Sequence, residues 1–165
     1  MHAMDWRTRR AVTLAAAGGV VLGGVGSPPA SATTMVPLSN SIRGCDFTKA
    51  LFLGGMGSGT GSGHASIGAD GSHVGAEVML QSATPYTDYR VRLIQLPRPS
   101  VATCNAGDPG VAGAVLHTDA SGTATVTVAG PLSSDATQAW VVVEGPPAPG
   151  RIRGDVYTSD YPVNL

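Results

Sequence analysis

Charge is scarce in this chain. Asp, Glu, Lys and Arg make up 13% of its 165 residues, and ten basic side chains face eleven acidic ones for a formal net charge of −1. Without a basic surplus to neutralise phosphates, no nucleic-acid partner is expected. Long apolar runs are missing as well. The uncharged stretch Ala11–Gly26 falls short of the roughly 20 residues that a spanning helix needs, and five of its positions are glycine. No segment combines a helical period with caps, and 23 Gly and 12 Pro argue against a helical bundle. Aromatic residues are few, cysteines number two, and Asn40, Asn105 and Asn164 stand outside glycosylation sequons.

The first thirty-two residues have the layout of a secretory signal peptide. Arg7, Arg9 and Arg10 supply the positive region, Ala11–Gly26 the apolar region, and Ala30-Ser31-Ala32 a small-x-small cleavage motif. Cleavage after Ala32 leaves a chain that starts at Thr33 and retains seven basic against ten acidic residues. Thr8-Arg9-Arg10-Ala11-Val12-Thr13 resembles a twin-arginine export signal, so both that route and the general secretory route stay open. Secretion or residence in the cell envelope follows, with a partner there. Cys45 and Cys104, an even pair in an exported chain, read as a disulfide.

Past the signal, residues 33–44 read as a flexible N-terminus and 45–165 as one β domain, with a loose glycine-rich loop at 54–63. Alternation places Tyr89, Val91 and Leu93 on one face of a strand with Arg90 and Arg92 on the other, and Ala124, Val126 and Val128 inward on a second. Ala139–Val143 is apolar on both faces, which predicts a central strand with Trp140 in the core. Further strands are predicted over Phe47–Leu53, Ala65–Ala69, Ala76–Gln81, Val111–His117 and Ile152–Thr158. Turn signals such as Asp70-Gly71, Asp108-Pro109-Gly110 and Asp119-Ala120-Ser121-Gly122 separate them. Seven or eight short strands predict an all-β antiparallel sandwich, immunoglobulin-like, with a small closed barrel as the alternative.

The ordered series Thr87–Gln95, Cys104, Leu116–Gly122, Ala139–Val142 and Asp155–Asp160 resembles small exported proteins of actinobacteria. Those proteins pair a signal peptide with an immunoglobulin-like or fibronectin-like sandwich and have no established activity. The resemblance implies location and architecture and carries no catalytic residues. Arg151–Asp155 is also similar to the terminal strand of chordin-type β domains.

Chemistry-bearing motifs are sparse. The tract Gly54–Gly63 lacks the Lys-Ser or Lys-Thr ending of a phosphate loop and reads as a connecting loop. His64, His73 and His117 are candidates for a hydrolase, but no G-x-S-x-G elbow accompanies them. His64, Asp70 and His73 lack the spacing that aims two ligands at one metal ion. Neither a cofactor nor a metal is expected. Arg90, Arg92 and Arg98, with Arg151 and Arg153, form a candidate binding surface for acidic glycans or lipid head groups, against the alternative of a wetted outer face. Arg153-Gly154-Asp155 spells an integrin tripeptide but falls in a predicted strand. The expected function is thus a non-enzymatic binding or structural module, and the competing one a small secreted hydrolase or metal-dependent enzyme that uses His64, His73 or His117.

Overall fold

The computed structural model describes residues 32–50 and 58–165. The predicted signal peptide lies outside the described residues apart from Ala32, and so do residues 51–57. Nine strands follow in chain order: β1 (Thr33–Ser39), β2 (Ser62–Ala69), β3 (His73–Gln81), β4 (Asp88–Leu96), β5 (Val111–His117), β6 (Ala124–Pro131), β7 (Gln138–Glu144), β8 (Val156–Ser159) and β9 (Val163–Asn164). All ladders between them are antiparallel. The sheet runs β5-β4-β7-β8-β1-β2-β3-β6, and β9 pairs with β7.

The strands at the two ends of that path, β5 and β6, lie side by side, so the sheet curls into a nearly closed barrel. Gln95 stitches the seam. This buried amide donates to the Pro131 carbonyl at 2.9 Å and accepts the Ser133 N–H at 2.8 Å, tying the end of β4 to the end of β6. The expectation of an all-β antiparallel domain in the sandwich and barrel class holds, with nine strands among the described residues in place of seven or eight.

Period-two alternation decides which side chains fill the barrel. Val36 and Leu38 of β1, Ala65 and Ile67 of β2, and Val78 and Leu80 of β3 meet Tyr89, Val91 and Leu93 of β4 inside. Val141 and Val143 of β7 and Tyr157 of β8 complete the interior. A second cluster lies on the outside of the same sheet: Ile94 and Leu96 of β4, Trp140 and Val142 of β7, Val156 of β8, and Cys104 with Val111. This second layer explains why Ala139–Val143 is apolar on both faces. One face looks into the barrel, and the other is covered.

The cover is the strap Ser41–Ala50, part of the connection between β1 and β2. It is fastened by a disulfide between Cys45 and Cys104, 59 residues apart in sequence, with Cα atoms at 5.6 Å. Phe47 stands edge-on to Trp140 with ring centroids 5.3 Å apart, and the Arg43 guanidinium sits 3.9 Å above the Phe47 ring. The connection returns at Ser58, whose carbonyl accepts the Val156 N–H at 2.9 Å and whose backbone pairs with Asp155. Asn40 donates to the Ser58 and Val156 carbonyls at 3.2 and 3.0 Å, joining both ends of the connection to β8.

Several expected boundaries move. Thr33–Ser39 is not a flexible terminus but strand β1, because Val36 and Leu38 alternate into the core while Thr33–Leu38 pairs with Gly63–Gly68. Phe47, predicted to open a strand, is a turn residue at φ 68°, and the rest of that predicted strand beyond Ala50 lies outside the described residues. The expected loose loop at 54–63 gives way at its C-terminal end to order, since Ser62 and Gly63 belong to β2. Gly59, at φ 135°, packs where a Cβ would stand 2.5 Å from the Tyr157 hydroxyl. The strand predicted over Ile152–Thr158 starts only at Val156.

Candidate functional site

A cleft of 370 Å³ opens on the outer face of β4, β7 and β8, beside the strap. Alternation along β4 turns Arg90 and Arg92 outward, and the β4–β7 ladder sets Glu144 opposite Arg90 and Val142 opposite Arg92. The strap contributes Arg43, and the connection from β7 to β8 contributes Arg153. Four of the seven basic side chains that follow Thr33 therefore line one depression, with Glu144 the single carboxylate among its described lining residues. The sum is a local surplus of positive charge on an otherwise acidic domain.

The four arginines divide into two holders and two presenters. Arg92 forms a hydrogen-bonded ion pair with Glu144 and donates to the Cys104 carbonyl at 2.7 Å. That geometry fixes its guanidinium between β7 and the disulfide. Arg43 stacks on Phe47 and donates to the Asp160 carbonyl at 3.1 Å. Burial lowers its pKa from the ordinary arginine value, and the Asp160 charge opposes that shift. Arg90 and Arg153 are exposed, and neither has a hydrogen-bond or carboxylate partner among the described residues. Two buried donors in the same wall, Arg43 Nε and Trp140 Nε1, also have no partner among the described residues. The wall thus offers many donors and one engaged acceptor, the composition that a bound oxyanion complements.

The other candidate arginines separate from this group. Arg98 donates to the Thr103 carbonyl through Nε at 2.8 Å and again through Nη2, and to the Pro109 carbonyl at 2.8 Å, so it folds its own loop. Arg151 lies across the β7–β8 connection, in a 510 Å³ depression at the barrel mouth with Thr84, Tyr89 and Asp155. There the Tyr89 hydroxyl donates to Asp155 at 3.0 Å and accepts the Thr84 N–H at 3.1 Å, while Thr84 Oγ1 donates to the same carboxylate at 3.1 Å. These groups satisfy one another and seal the barrel. Burial raises the pKa of both tyrosines that plug this end, that of Tyr157 to about 12. The Arg153-Gly154-Asp155 tripeptide is not in a strand as predicted; it ends the loop before β8, with Asp155 held by Tyr89 and Thr84.

The histidines do not converge. His64 sits in mid-β2, His73 at the start of β3 and His117 at the end of β5. His73 has both a serine and an aspartate at hand, yet Ser72 Oγ at 2.9 Å and Asp70 Oδ1 at 3.9 Å address the same ring nitrogen, Nδ1. A hydrolytic triad needs the hydroxyl on one nitrogen and the carboxylate on the other. His117 Nδ1 meets Asp88 at 2.7 Å in a cross-strand pair on the surface. Among the described residues no group of three His, Cys, Asp or Glu side chains stands close enough to hold a metal ion. The turn aspartates are occupied by their own backbone. Asp119, for example, accepts from Ser121 N at 2.8 Å and Thr123 N at 3.0 Å.

Sequence reasoning missed Arg43, Glu144 and the unpartnered Trp140 N–H. A signal for Arg43 was present, since it lies two residues before Cys45 and a bridge to Cys104 carries it to β4. No family model matches this chain, and no similar curated protein or solved structure was found.

Proposed function

We propose that this chain is an exported, non-enzymatic all-β module that binds anionic groups in the arginine-lined cleft. The observation that carries this reading is the convergence of Arg43, Arg90, Arg92 and Arg153 around one depression with a single, already paired carboxylate. Guanidinium groups suit phosphate, sulfate or carboxylate because their planar N–H forks match two oxygens at once. The holders Arg92 and Arg43 are fixed by neighbouring groups, which lowers the ordering cost of binding, while Arg90 and Arg153 are available to grasp. Export is supported by the N-terminal arrangement of arginines, apolar stretch and Ala30-Ser31-Ala32, together with a disulfide that an oxidising compartment preserves. An immunoglobulin-like lineage, of the actinobacterial kind, is proposed on the order of strand and turn motifs from Thr87 to Asp160.

Isothermal titration with inorganic phosphate and with sulfate tests the binding. Saturable binding that weakens with added salt is expected, with a loss of tenfold or more in Arg90→Ser/Arg153→Ser, since each charge-assisted hydrogen bond is worth about 1.5–3 kcal/mol. Failure of either anion to bind, or binding that the double substitution leaves unchanged, refutes the reading. N-terminal sequencing of protein recovered from the culture medium tests export, and a start at Thr33 is expected. Recovery only from the cytoplasm with the N-terminus intact contradicts it.

A further inference from the structure

One side chain at the cleft is out of keeping with a receptor for small soluble anions. Ile152 is 97% exposed, the most exposed of the large hydrophobic residues among the described residues, and it lines the cleft at the tip of the β7–β8 connection. It stands between Arg151 and Arg153, both exposed, in a loop whose other arm is Pro146-Pro147-Ala148-Pro149-Gly150. Prolines restrict that arm, so the tip is presented at little entropic cost. A dissolved phosphate gains nothing from Ile152. An anion with hydrocarbon directly behind it does.

We infer that the cleft and the Ile152 tip together dock on a membrane surface rich in anionic phospholipid, the head-group phosphates entering among the arginines while Ile152 enters the acyl boundary. The inference rests on the anion-binding reading of the cleft and names its ligand. Charge complementarity supports it. Arg43, Arg90, Arg92 and Arg153 line the cleft, Arg151 shares the adjoining depression with Arg153, and Lys49 pairs through its backbone with Arg43 on the strap, leaving Arg98, engaged in its own loop, as the remaining cation after Thr33. Of the neighbouring carboxylates, Glu144 is engaged by Arg92, Asp155 by Tyr89 and Thr84, and Asp46 by Thr48, while Asp160 stands near Arg43, so the cations outnumber the carboxylates on this side. The opposite wall, β2, β3 and β6 with the turn between β2 and β3, holds Asp70 and Glu77 and no Lys or Arg. An anionic surface therefore orients the molecule with the cleft inward. Each cation near such a surface strengthens binding by roughly fivefold, and burial of one isoleucine by roughly tenfold or more.

Co-sedimentation of the purified, disulfide-bonded protein with phosphatidylglycerol–phosphatidylcholine vesicles tests this, with pure phosphatidylcholine vesicles and inorganic phosphate as the other arms. Binding to the anionic vesicles alone is expected. Ile152→Ser, which removes the hydrocarbon without adding charge, should weaken it at least tenfold while changing phosphate affinity less than twofold, whereas Arg90→Glu should weaken both. Thr125→Asp, outward on β6 across the barrel, should change neither. Phosphate binding without vesicle binding overturns the lipid inference and leaves the cleft reading standing; loss of both arms overturns both. Vesicle binding that survives Ile152→Ser and Arg90→Glu comes from another part of the chain, such as Ala11–Gly26, and overturns the inference. A lipid-independent dimer that Arg90→Glu dissolves assigns the patch to a second copy and overturns it too.

Discussion

Replacing both cysteines by serine should cost this domain a large part of its stability while leaving its native packing in place. The Cys45–Cys104 bridge closes a loop of 59 residues. In the chain-entropy model the loss of that constraint stabilises the unfolded chain by about 4 kcal/mol at 25 °C. A single domain commonly has only about 5–15 kcal/mol in total, so the double variant should lose about a quarter or more of its margin. The strap has other fastenings: Phe47 on Trp140, Arg43 on the Asp160 carbonyl, and the Arg43–Lys49 backbone pairing. The native strap should therefore stay closed. The chain holds only Trp6 and Trp140, so a Trp6→Phe background makes emission report on the cover over Trp140 alone. Urea unfolding followed by that emission should show the midpoint falling by the equivalent of about 4 kcal/mol, with a native spectrum that stays blue-shifted. A loss under about 1 kcal/mol would refute the entropic reasoning. A red-shifted native spectrum would show instead that the bridge alone holds the strap down.

Phe47→Ala removes the edge-on contact with Trp140 and the ring under Arg43, and should cost about 1–3 kcal/mol with a red shift of Trp140 emission; an unshifted spectrum would remove Phe47 from the cover. The Tyr157 phenol is buried and its pKa is raised to about 12 from 10.0, so the fold favours its protonated form. That preference is complete below about pH 10 and is lost as pH rises through 12. Circular dichroism across that window should show alkaline destabilisation that is reduced in Tyr157→Phe, and equal curves would contradict the assignment. At the other extreme, hydrogen bonds from their own turns depress the pKa values of Asp46, Asp70, Asp108 and Asp119. Their stabilisation is present above the ordinary carboxylate range and should fade as pH falls below about 4, flattening in Asp119→Asn. Gly122 has φ 73° and a Cβ there would collide with the Ala83 carbonyl, so Gly122→Ala should lower the thermal midpoint and loosen amide protection at Ala83 and Thr123.

Much of the barrel is written in period-two patterns. Tyr89, Val91 and Leu93 point in, and Ala124, Val126 and Val128 do the same, as alternation requires. The disulfide is equally legible, because two cysteines leave one pairing. Where reading failed, a second layer or a close approach intervened. Val36 and Leu38 alternate across Pro37, whose missing N–H obscures a strand that is nevertheless paired through to Leu38. Phe47 resembles the opening of a strand but serves to cap the outside of β7 at Trp140. Gly59 looks like a flexible link, and packs beneath the Tyr157 hydroxyl. The cleft was half legible. Arg90 and Arg92 share a face by periodicity, but only the closed sheet shows that Arg153 returns to them, and only the bridge brings Arg43.

The anion-binding cleft is tested most directly by nuclear magnetic resonance of the arginine Nε–H and tryptophan Nε1–H groups during a titration with inorganic phosphate. Saturable shifts are expected at Arg90 and Arg153, smaller ones at Arg43, Arg92 and Trp140, and none at Arg98, which its own loop engages. Shifts confined to Arg98, or no saturable shift at any arginine of the cleft, would contradict it.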